Sequence, residues 1–225
     1  MGSMIEFSRP DGKTAPGYLA EPAAVREHAP GVVMLEEWWG VNDQIKETAD
    51  RLAAAGFRVL VPDLYRGRVA ATGDEANHLM QGLDFGDAAM QDARGAATFL
   101  KSTGSPKVGV TGFCMGGALA LLSAMHVTDY DAAVIWYGFP PAEAGDPANI
   151  RIPIMLHWAI DDEFFPLEGA ERIEERLVAG KVHHQTHRYL AKHAFYNPGG
   201  LGNHDPDAAE TAWERTVEFF NENLK

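Results

Sequence analysis

"VGVTGFCMGGALALL", residues 108–122, decides the fold. Val108–Thr111 is a short apolar run that reads as a buried strand. Gly112-Phe113-Cys114-Met115-Gly116 follows, then Gly117, with an apolar run of helical composition over Met115–Met125. Strand, Gly-x-Cys-x-Gly, helix is the layout of a nucleophile elbow with cysteine in place of serine. A side chain two positions before or after the nucleophile of so sharp a turn would strike neighbouring backbone, which accounts for Gly112 and Gly116. The turn lifts the sulfur above the end of the sheet. It also aims the N-terminus of the next helix at the sulfur, where free N–H groups favour a thiolate and bind an oxyanion. The Met115 N–H is the first candidate donor. The competing readings are an inert buried cysteine and a phosphate-binding helix end; the flanking pattern favours the nucleophile.

Outward from this corner, strand-like and helix-like stretches alternate. Strand-like runs cover Val32–Leu35, Phe57–Val61, Ala132–Tyr137, Ile152–His157 and, with more alternation, His183–Leu190. Helical stretches cover Asp43–Ala55, Asp87–Leu100 and Leu167–Val178. A last helix runs from about Pro206 to Asn223, where Ala209, Trp213, Val217 and Phe220 share one face. This alternation predicts an α/β fold: a mostly parallel sheet flanked by helices on both faces. No repeat or linker divides residues 1–225, so a single domain is expected. Gly2-Ser3 before Met4 has the form of a cloning scar. Tyr65–Phe85, polar and glycine-rich, reads as a surface excursion over one end of the sheet.

The 225 residues carry a net charge of −13, which argues against nucleic acid or an anionic membrane as partner. The single cysteine excludes an intrachain disulfide and a multi-cysteine metal site, and it suits a reducing, cytoplasmic compartment. No apolar run approaches the roughly 20 residues of a membrane span.

A thiol nucleophile needs a base, and the base needs an orienting acid. In elbow folds the chain order is nucleophile, acid, histidine. The acids after the next suitable strand lie in "IPIMLHWAIDDEFFP" and the histidine in "YLAKHAFYN". These give Asp162 and His193, with Asp161 barely separable from Asp162. His157, inside an apolar strand, reads as a core histidine. His183 and His184, adjacent in a strand pattern, face opposite ways and make a poor metal site; His204 reads as a cap or surface residue. In "VVMLEEWWGVN", Glu36 and Glu37 end a strand beside two tryptophans. A carboxyl in such surroundings is pushed toward proton exchange near neutral pH.

Together "EEWWGVN", "VLVPDLYRG", "VGVTGFCMGGALA", "WYG", "DDEFFP" and "KHAF" resemble the dienelactone hydrolase family of α/β-hydrolases, from about residue 14 to the end. The resemblance implies a hydrolase of esters or lactones that uses no cofactor and no metal. By position it makes Cys114 the nucleophile, Asp162 the triad acid and His193 the base. It picks Glu37, not Glu36, as the acid that takes the thiol proton, and the Trp38 N–H as second oxyanion donor beside Met115. The family holds a substrate carboxylate with arginines. One comes four residues after the histidine, where this chain has Asn197; "NHLMQGLDF" lacks the other. Arg66 and Arg68 are the nearest substitutes and read as solvated.

Trp38, Trp39, Trp136, Tyr137, Trp158, Phe195 and Tyr196 are the expected pocket walls, with Asn197 beside them. An aromatic pocket without a clamp predicts a neutral, hydrophobic ester, handled by a monomer or weak homo-oligomer. The alternatives are a cysteine enzyme like the glutamine amidotransferases and DJ-1-like proteins, and a non-catalytic binding module.

Overall fold

The computed structural model describes residues 1–23 and 28–225. Eight strands form one sheet: β1 (Ser3–Ser8), β2 (Thr14–Ala20), β3 (Gly31–Leu35), β4 (Arg58–Pro62), β5 (Val108–Phe113), β6 (Ala132–Trp136), β7 (Ile154–Asp161) and β8 (His184–Lys192). Their order is β1-β2-β4-β3-β5-β6-β7-β8. Strands β3 to β8 run parallel, and β2 pairs antiparallel with both β1 and β4. Every residue of β3, β5 and β6 is buried. Strands apolar on both sides are stable only inside a sheet covered on both faces.

The helices supply that cover. On one face lie α1 (Asp43–Ala54) and α7 (Pro206–Leu224), whose Ile45, Leu52, Trp213 and Phe220 meet Val32, Met34 and Val134 of the sheet. On the other lie α4 (Arg94–Ser102), α5 (Met115–His126) and α6 (Leu167–Ala179), packed on Val33, Val110, Ile135 and Leu156. Helix α5 is buried on nearly every side, consistent with its near-uniformly apolar sequence.

Three features depart from the sequence reading. The β1–β2 hairpin was not expected. The stretch before α4 is not one regular helix: it comprises α3 (Phe85–Asp87) and a π turn over Ala88–Ala93. The excursion Tyr65–Phe85 is not only surface loop, because it contains α2 (Gly73–Gln81), capped by Thr72 and anchored by buried Ala76 and Leu79. Arg66 is engaged rather than free. Its guanidinium lies 2.8 Å from buried Asp92, which also takes Arg9 at 3.1 Å.

The corner after β5 has the sterics expected of an elbow. A Cβ on Gly112 would lie 2.1 Å from the Gly116 carbonyl oxygen, and one on Gly116 would lie 2.2 Å from the Leu35 carbonyl oxygen. Gly112→Ala should therefore lower unfolding free energy by about 3 kcal/mol, read as a drop in the urea midpoint. A change below about 0.5 kcal/mol, the size of a surface substitution, would contradict a sterically closed corner.

Candidate active site

Cys114 sits between β5 and α5 with φ 56 and ψ −116, a conformation that side-chain-bearing residues rarely adopt. The chain holds it there by two bonds: its N–H donates to the Trp136 carbonyl, and its carbonyl accepts from Ala118. Part of the residue faces a cavity of about 530 Å³ at the C-terminal ends of the parallel strands, where α/β sheets build their sites.

Asp162 and His193 meet. The Nδ1 of His193 lies 2.8 Å from Asp162 Oδ2. The other carboxylate oxygen, Oδ1, accepts the N–H groups of Phe164 and Phe165 at 2.9 and 2.8 Å, which fixes its orientation. Asp161 is exposed and pairs in register with Lys192, so the structure separates two acids that the sequence did not. Asp161 and Asp162 are successive residues at the end of an extended strand and so face opposite ways, which leaves Asp162 buried. His193 lines the cavity with Cys114 and Glu37. Its Nε2 makes no hydrogen bond to any described residue. The rings of Phe164, Phe165 and Tyr137 stand 4.9–5.5 Å from the imidazole and keep it 3% exposed.

Glu37 is 5% exposed. Its Oε1 accepts the Tyr137 hydroxyl at 3.3 Å, and its Oε2 accepts the Asn197 amide. Burial pushes its carboxyl up, while Asn197, His193 and Tyr137 pull it back. The same desolvation, with the Glu37 charge second, pushes the Cys114 thiol well up; the Met115 N–H opposes both. The favour that the helix end gives a thiolate is thus outweighed by burial and the Glu37 charge. The Met115 and Trp38 N–H groups donate to no carbonyl oxygen among the described residues, so neither is spent on a backbone partner; the Met115 N–H faces the Cys114 sulfur.

The walls differ from those the sequence suggested. Trp38 and Trp39 do line the cavity. Tyr137, Trp158, Phe195, Tyr196 and Asn197 do not: all five are buried behind it, as is Trp136. Phe113, Trp136, Tyr137, Phe195 and Tyr196 stack into the sheet core instead. Most of the remaining wall comes from loops, α2 and the start of α3: Asn77, Met80, Phe85, Phe139, Pro140, Pro141, Phe164, Phe165 and Leu201. Phe139, Phe164 and Leu201 follow β6, β7 and β8, a position that could have flagged them. No lysine or arginine lines the cavity among the described residues. His157 is a core histidine, bonded to Tyr189 and Thr216. His204 bonds the Phe195 carbonyl.

An elbow on a sheet of this order, with histidine and acid returning from the last strands, defines an α/β-hydrolase fold. The family model described as "Dienelactone hydrolase family" matches residues 15–224, and the chain belongs to that family. It is 37% identical to "Protein usf" of Aquifex pyrophilus, with all of both chains covered. It is 34% identical, again over all of both chains, to a protein of Aquifex aeolicus provisionally named carboxymethylenebutenolidase. Among solved structures it is similar to a dienelactone hydrolase-like promiscuous phosphotriesterase from metagenomic libraries. That likeness has a TM-score of 0.88 and 26% identity, covering 100% of this chain and 99% of the other.

Asp162→Asn should lower hydrolysis of p-nitrophenyl acetate by about 10³-fold or more, because the imidazole loses its orienting partner. Asp161→Asn should leave it within about twofold. Equal losses in the two variants would remove Asp162 from the role.

Proposed function

We propose that this chain hydrolyses neutral esters or lactones through a thioester on Cys114. The observation that carries the reading is His193, paired with Asp162 at 2.8 Å and lining one cavity with the chain's single cysteine. An ester binds with its carbonyl oxygen toward the N–H groups of Met115 and Trp38. The thiol proton passes to Glu37 as Sγ attacks the carbonyl carbon. The two N–H groups stabilise the tetrahedral oxyanion; losing one such donor typically costs about 3 kcal/mol. Relayed to His193 Nε2, the proton leaves with the departing alkoxide as alcohol. His193 then takes a proton from water, whose oxygen attacks the thioester carbonyl. The acid product departs, and His193 returns the proton to the thiolate. Asp162 supports the transient imidazolium throughout.

The cavity also supports a substrate class. Its walls are largely aromatic and aliphatic, no lysine or arginine lines it among the described residues, and the two arginines of "YRGRVA" are occupied: Arg66 by Asp92, and Arg68 by the Tyr65 carbonyl at 3.4 Å. A substrate carboxylate would lose its hydration there without a cation to replace it. Neutral esters with an apolar or aryl group fit the lining.

Cys114→Ala should abolish turnover of p-nitrophenyl butyrate while the thermal unfolding transition stays cooperative; retained turnover would end the nucleophile assignment. The wild-type chain should prefer p-nitrophenyl butyrate to p-nitrophenyl hemisuccinate by about tenfold or more in kcat/KM. A preference for the hemisuccinate would overturn the neutral-substrate reading.

A further inference from the structure

The sequence places Asn197 where a substrate-binding arginine is found in the family, but its side chain is already committed. Asn197 is 2% exposed and absent from the cavity wall. Its Oδ1 accepts the Gly199 N–H at 2.9 Å. That bond fixes which end of the amide is which: the oxygen faces the loop, so the NH₂ must face Glu37 Oε2. The backbone is pinned too, since the Asn197 N–H donates to the Ala194 carbonyl at 2.9 Å. Ala194, with φ 61, directly follows His193. One tight loop after β8 therefore delivers both the imidazole and the amide. Tyr137, also at a positive φ of 37, brings its hydroxyl to the other carboxylate oxygen.

We propose that Asn197 is a positioning residue for Glu37: its amide holds the carboxylate beside Cys114 and keeps it usable as the proton acceptor. This rests on the thioester reading above. The charged and titratable groups facing Glu37 are Cys114 from the elbow, Tyr137 from the end of β6 and His193 from the end of β8. None of them is a fixed cation. A buried carboxylate with no such cation depends on neutral donors for its charge, and a hydrogen bond to an ionised group is worth more than one between neutral groups. Two donors share that work here, and Asn197 is the one whose orientation the loop locks.

The test is the pH dependence of single-turnover acylation by p-nitrophenyl butyrate in Asn197→Ala and in the isosteric Asn197→Asp, each checked for a cooperative thermal transition. Glu37 acts as carboxylate, so weakening its ionised form moves the acid limb of the profile upward. The expected shift is about one to two pH units in Asn197→Ala and at least as much in Asn197→Asp, where a second carboxyl faces the first. Should Asn197→Ala not fold, Asn197→Asp alone decides. Unmoved profiles in folded variants would overturn the proposal. So would a change confined to KM, which is the mark of a substrate contact. Alkylation of Cys114, the only cysteine, by iodoacetamide gives a second readout. If the wild type turns over no ester, the thioester reading fails, while a shifted alkylation-versus-pH curve in the variants still supports the clamp. An unshifted curve sinks the clamp as well.

Discussion

The left-handed backbone of Cys114 is the constraint on which the site depends. Its conformation is imposed from outside, because the surrounding backbone leaves space only for hydrogens. A Cβ on Gly138 would lie 2.0 Å from the Cys114 carbonyl oxygen, and one on Gly117 would lie 2.5 Å from that of Trp136. These glycines let β3, β5, β6 and α5 approach until the elbow is wedged among them. The strain is offset by the packing of fully buried strands. In return the sulfur stands at the start of a helix with the Met115 N–H beside it, and no side-chain flexibility is needed to find that geometry.

Electrostatics then separates two adjacent acids. Glu36 and Glu37 are both buried, yet only Glu37 has hydrogen-bond partners. Neither carboxyl oxygen of Glu36 finds a donor; the Leu64 N–H is near enough to ease a charge but out of bonding geometry. Burial, with Asp63 nearby, pushes that carboxyl well above its usual range. Glu37 is pushed up less, because Asn197, His193 and Tyr137 answer its charge. Burial and the Glu37 charge also push up the Cys114 thiol beside it.

How much of this was legible depended on whether the deciding physics was local. The elbow could be read because the Gly-x-Cys-x-Gly pattern is local, although the clash that Gly116 avoids is with distant Leu35. Strands β3, β5 and β6 could be read because burial on both faces leaves an unbroken apolar run. Strand β2 was hidden: Pro16 and Gly17 break the pattern of Thr14–Ala20, and its pairing with β1 and β4 is set by distant partners. The choice between Asp161 and Asp162 turned on which side of β7 faces the site where the strand ends, which composition does not encode. The pocket walls were misjudged for a related reason. Whether an aromatic residue at a strand end faces the cavity or the core depends on how the chain leaves the sheet. Tyr137 and Phe195 turn inward, whereas Phe139 and Phe164, each three residues past the end of its strand, turn toward the cavity.

The most direct test of the account is intact-protein mass spectrometry on enzyme quenched in acid within milliseconds of mixing with p-nitrophenyl butyrate, followed by peptide mapping. The account predicts a transient mass increase of one butyryl group, located on the peptide containing Cys114 and released by hydroxylamine. Steady turnover with no acyl adduct, or with the adduct on another residue, would contradict it.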